Sequence, residues 1–94
     1  MVLAMIENSF IVWLYSELME EVNGHKEYKE ISDKLKMKGH NEYSEIFSKM
    51  AEQEKGHADY IMKILKDIVD KQDLKDNSLK DFIIELNTTV SKSI

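Results

Sequence analysis

The sequence predicts an all-α fold: a long antiparallel helical hairpin followed by a short C-terminal helix, with two copies pairing into a four-helix bundle. Three observations carry this. The chain has no proline and only three glycines in 94 residues, so almost nothing interrupts a helix. Large apolar residues recur at helical spacing over two segments of about 30 residues each. Between those segments lies a short polar stretch with helix-stop and helix-start chemistry.

From about Val2 to Lys36 the apolar stripe Ile6, Phe10, Trp13, Leu14, Leu18, Tyr28, Ile31, Leu35 reads as one helix. In heptads its seam is Phe10, Leu14, Glu17, Glu21, Gly24, Tyr28, Ile31 and Leu35, so two carboxylates and a glycine interrupt an apolar line. Lys36-Met37-Lys38-Gly39-His40-Asn41 ends the helix. Its cations suit a helix C-terminus, Gly39 suits the left-handed cap, and Asn41 suits the N-cap of the next helix. A connection this short makes the second helix an antiparallel neighbour.

That second helix is expected over about Glu42 to Lys71, with seam residues Tyr43, Phe47, Met50, Glu54, His57, Ile61, Ile64 and Ile68 flanked by Ile46, Ala51, Ala58 and Leu65. A polar run follows from Gln72 to Asn77. Ser78 with Asp81 three residues on resembles a capping box, opening a third helix over about 78–92 with an apolar face of Leu79, Phe82, Ile83, Leu86 and Val90. The whole chain, 1–94, reads as a single domain of a size that often leans on a metal or a partner.

Composition narrows the function. The net charge is −5, and all 13 basic residues are lysine, without the arginine that bidentate phosphate and base recognition favours. Nucleic acid is therefore not expected as a partner. The absence of cysteine removes thiol catalysis, iron–sulfur clusters and thiolate zinc sites, so any metal is held by oxygen and nitrogen. The N-terminal segment carries Glu7 and Asn8, and it has neither a basic leader nor about 20 uninterrupted apolar residues. No membrane association is expected, and a cytoplasmic location is the default.

Glu54-Lys55-Gly56-His57 holds a carboxylate and an imidazole three residues apart, which on a helix aims both the same way. Hairpin geometry adds Glu21. It lies 17 positions before Lys38 and Glu54 lies 16 after it, so they stand at equal height on the two helices. Leu14 then faces Ile61, and Tyr28 faces Phe47, above and below the polar layer. Two carboxylates and one imidazole suit iron, with manganese also compatible. Three ligands leave the site open. A twofold dimer doubles the set to four carboxylates and two imidazoles, which neutralise two ferrous ions and bury the leftover apolar faces together.

The same residues resemble the rubrerythrins of the ferritin-like superfamily. Those proteins carry a ligand Glu with a small residue three later and a Tyr seven later, then a Gly-containing turn, then an Ala-x-x-Glu-x-x-His-Ala run. Here these are Glu21, Gly24, Tyr28, Gly39 and Ala51-Glu52-Gln53-Glu54-Lys55-Gly56-His57-Ala58. The resemblance covers roughly residues 14–70. It implies a di-iron centre with Glu21 a terminal carboxylate, Glu54 a bridging carboxylate and His57 a terminal imidazole. It also implies ferroxidase activity or reduction of dioxygen or peroxide, with Glu54 and Tyr28 in catalytic roles. This sequence has one hairpin and no cysteine, where a usual rubrerythrin has two hairpins and often a four-cysteine iron site. It is thus more similar to the encapsulated ferritins, whose paired hairpins make the site at an interface, and a surrounding protein shell is one partner this suggests.

The reading of a different class is a non-enzymatic helical interaction module, whose polar layer specifies register with or without a structural metal. Of the remaining residues, Glu17 is read either as an exchange ligand or as a bundle-end charge. Tyr28 is read as a ring in the core with its hydroxyl on a ligand carboxylate. His25 and His40 are expected to be solvated, and Trp13 and the methionines to serve core or interface packing.

Overall fold

The computed structural model describes residues 8–71 and 77–93. They form three helices, α1 (Asn8–Met37), α2 (Asn41–Lys71) and α3 (Asn77–Ser93). The expected helical start at Val2, with Ile6, and the polar run up to Asp76 lie outside the described residues, as do the side chains of Ser78 and Leu79.

The turn between α1 and α2 is a Schellman motif. Gly39 has φ +82°, where a Cβ would be strained. Its N–H donates to the Lys36 carbonyl at 3.1 Å, and the His40 N–H donates to the Leu35 carbonyl at 2.9 Å. Lys34 and Lys36 sit in the last turn of α1, opposite in sign to the helix end. The Ser44 N–H donates to the His40 carbonyl at 2.9 Å. His40 therefore occupies the cap position expected for Asn41, which is already the first helical residue of α2.

The two long helices pack along most of their length, but of the expected seam only Leu14 and Ile68 are buried, with Ile61 packed against the core. The stripe that α1 buries is Ile11, Leu18, His25 and Ser32, with Leu14 and Val22 beside it. The stripe that α2 buries is Ser44, Ala51, Ala58 and Leu65, with Met62 and Ile68. At 100° per residue these lie about a sixth of a turn away from the Glu17–Glu21–Tyr28 and Phe47–Glu54–Ile61 stripes. The reason is side-chain size. Ala51, Ala58 and the serines let the backbones approach, whereas the bulky line Tyr43, Phe47, Met50, Ile61 would hold them apart.

At the turn end the contact is polar and reciprocal. Ser32 Oγ donates to the Ser44 carbonyl at 2.7 Å, Ser44 Oγ donates to the Ser32 carbonyl at 2.8 Å, and the two hydroxyls are 3.0 Å apart. At the other end the core is aliphatic and α3 completes it. Ile83, Leu86 and Val90 join Ile11, Leu14, Leu18, Val22, Ala58, Met62, Leu65 and Ile68 in one cluster, and the Phe82 ring meets Tyr15 with centroids 5.6 Å apart. Tyr15 projects from α1 roughly opposite to Glu17 and Glu21. Thus α3 covers one face of the hairpin and leaves the carboxylate face open. On that open face Phe10, Trp13, Tyr43, Ile46 and Ile64 are exposed, the Trp13 ring tilted against that of Phe10 with centroids 5.7 Å apart. Among the described residues no helix is long and apolar enough to cross a membrane.

Candidate metal centre

Glu21 from α1 meets Glu54 and His57 from α2 on the open face. Each offers a ligand atom, and the three atoms lie within 4.8 Å of one another. Helix geometry explains the convergence. Glu54 and His57 share a face one turn apart, and the Schellman turn sets Glu21 at their height. His57 Nδ1 is 3.3 Å from Glu21 Oε2, with the His57 side chain 60% exposed and that of Glu21 23% exposed.

Gly24 explains how Glu54 fits. An added Cβ there would stand 3.1 Å from Glu54 Oε2, so the Glu54 carboxylate lies in the notch that the glycine leaves.

The electrostatics are those of a site short of positive charge. A hydrogen bond with Glu21 raises the Glu54 carboxyl above its ordinary value, partial burial and the like charge of Glu21 add to the rise, and His57 opposes it. Among the described residues no lysine pairs with either carboxylate. Lys34, for instance, bonds Glu30 at 3.0 Å in an exposed pair.

Two oxygen donors and one imidazole nitrogen fit iron or manganese by ligand chemistry. They leave part of a coordination sphere open toward solvent. The residues present therefore suit a metal ion, provided that further donors come from outside this chain.

The rubrerythrin family model matches residues 14–89. The chain belongs to the rubrerythrin family. No curated protein and no solved structure matches it. For this rubrerythrin-family chain the match runs past the hairpin and through most of α3, so α3 belongs to the family domain. Its membership in a family of di-iron carboxylate proteins agrees with the Glu and His group on the open face.

The other site expectations fall out individually. Tyr28 packs its ring 6.0 Å from Phe47, the layer expected on the turn side. Among the described residues its hydroxyl makes no bond to Glu21 or Glu54; seven residues from Glu21 along α1, it stands about 10 Å away in height. Glu17 is half-buried on the same stripe but outside the converging group. Trp13, expected in core or interface packing, is exposed on the open face and so is not part of the chain's own core. His40 is exposed, its ring 6.0 Å from Tyr43.

His25 corrects the sequence reading. It is not solvated but 6% exposed, with Nδ1 2.7 Å from the Ala51 carbonyl oxygen. The signal was present in the sequence. Ile11, Leu18, His25 and Ser32 follow one another at seven-residue intervals, as do Ser44, Ala51, Ala58 and Leu65. Those two series are the hairpin's own interface, and His25 is a member of the first.

Proposed function

We propose that two copies of this chain pair through their open faces and hold two iron ions between them. In this reading each copy contributes Glu21, Glu54 and His57, and the assembly acts as an oxidoreductase. The observation that carries the proposal is the convergence of the three donors within 4.8 Å on a face rimmed by exposed Phe10, Trp13, Ile46 and Ile64. Apolar surface of this kind marks an interface in a soluble protein, and covering it supplies the missing donors in the same step.

Within that assembly Glu54, seated in the Gly24 notch, would be the shared carboxylate, and Glu21 and His57 would each serve as terminal donors. The hydrogen bond with Glu21 holds the Glu54 carboxyl above its ordinary value, so a cation at this site would compete with protonation of Glu54. Tyr28 and Phe47 pack as an aromatic layer on the turn side of the site, which would limit water on that side once the faces pair. Iron, when bound, supplies one-electron chemistry toward dioxygen or peroxide; if the ferric product leaves, iron is the substrate of a ferroxidase.

Metal analysis of the purified protein, with Glu54→Ala as control, tests the reading. Two irons per dimer are expected in the parent and none in the variant, followed by iron-dependent consumption of dioxygen or peroxide. A dimer that forms without binding iron would instead support a helical interaction module.

A further inference from the structure

His25 stands behind the proposed centre, on the stripe where α1 and α2 meet. A carbonyl oxygen only accepts, so His25 Nδ1 carries the hydrogen and donates to Ala51 at 2.7 Å. That carbonyl already accepts the Lys55 N–H in the α2 ladder. The extra bond thus lands on the helical turn that carries Glu54. On α1 the preceding residue, Gly24, faces the Glu54 carboxylate itself. Two adjacent residues of α1 therefore address one turn of α2, His25 with a directional bond and Gly24 with empty space.

Such a bond has a task here because the neighbouring contacts are smooth. Ala51 and Ala58 are buried at the interface, and small side chains resist axial sliding weakly. Among the described residues and apart from the Glu21–Glu54–His57 group itself, whose place is what has to be fixed, the remaining cross-helix polar contact, Ser32 with Ser44, lies near the turn. His25 is 14 residues from Gly39, roughly 20 Å along the helix. A slide of one residue is about 1.5 Å, enough to take Glu54 out of its notch. A hydrogen bond of good geometry opposes that slide, since breaking it leaves a buried donor unpaired.

We propose that His25 is a positioning residue for the metal centre: its Nδ1–H bond to the Ala51 carbonyl sets the register of α2 on α1 and thereby holds the Glu54 carboxylate against Gly24 and beside Glu21. The inference rests on the metal-centre reading for its effect on binding, but not for its effect on the metal-free chain.

The test compares H25L, H25N and H25Q in the full chain. Asparagine presents a donor near the Nδ1 position, glutamine presents one further out, and leucine presents none. Cobalt(II) serves as the probe in calorimetric titration, with thermal melts alongside. H25N is expected to bind within about threefold of the parent, and H25L and H25Q to bind roughly tenfold or more weakly. Parent-like affinity in a folded H25L overturns the proposal, and so does equal weakening in H25N and H25L, because packing alone would then account for the loss. If H25L does not fold, the contrast between H25N and H25Q decides the matter in the same way. If the parent itself binds no cobalt, the metal-centre reading fails, and crystals of the metal-free parent and H25L judge the positioning role. A Glu54 carboxylate displaced from Gly24 in H25L supports it; an unmoved one refutes it.

Discussion

At the scale of single residues the centre is a balance between two carboxylates that repel and a fold that holds them together. Glu54 is raised by its hydrogen bond with Glu21, by partial burial and by the charge of Glu21. A carboxyl raised in the folded state leaves stability intact below its unfolded value and erodes it as pH climbs through the folded value. The chelator-treated protein should therefore melt at progressively lower temperature as pH rises out of the ordinary carboxylate range. E54Q should lack that slope and melt higher than the parent at neutral pH, while binding no iron; melts across pH in the presence of chelator check both. Gly24 gives a second expectation. In G24A the new methyl meets only the end of a flexible side chain, 3.1 Å from Glu54 Oε2, and the helix gains up to about 1 kcal/mol in propensity. The thermal midpoint should hold or rise while metal affinity falls, a split that melts and titration resolve.

At the scale of the elements, α1 and α2 each carry two heptad stripes about a sixth of a turn apart. Only one of them is used inside the chain. Leu18 and Leu65 are fully buried in it, so L18A should cost about 2–5 kcal/mol in denaturant unfolding. The Ser32–Ser44 exchange behaves differently because each hydroxyl serves the other helix. Removing one takes a cross-helix donor from a buried carbonyl and ends the hydroxyl–hydroxyl contact, while the other hydroxyl keeps its carbonyl, a loss of about 0.5–1.5 kcal/mol. The double variant S32A/S44A should lose less than the sum of the two single changes, which a double-mutant cycle measures directly. α3 matters here as the element that covers the face opposite the carboxylates.

At the scale of the whole molecule, the proposed pairing of open faces would join assembly to metal binding. Ile64 is exposed on the carboxylate side of α2, one helical turn beyond the level of Tyr60 and Ile61. A charge there disturbs nothing inside the single chain, yet in a paired bundle it would be buried without a partner. I64E should keep its helical content, remain monomeric in light scattering, and lose iron binding with all three donor residues intact. Iron retained by a monomeric I64E would separate the centre from the dimer and overturn their coupling.

Much of this was legible in the sequence. The lack of proline, the heptad spacing and the Gly39 turn announce two long antiparallel helices, because each is a local property of a few neighbouring residues. The equal height of Glu21 and Glu54 follows from the turn position and the fixed rise per residue, and the donors do converge. Which stripe the hairpin buries for itself was decided only in three dimensions. Both stripes repeat every seven residues, and the choice fell to the smaller side chains because they allow the helices to approach most closely. That choice turned the Glu21–Glu54–His57 group outward onto an open face and buried His25 behind it.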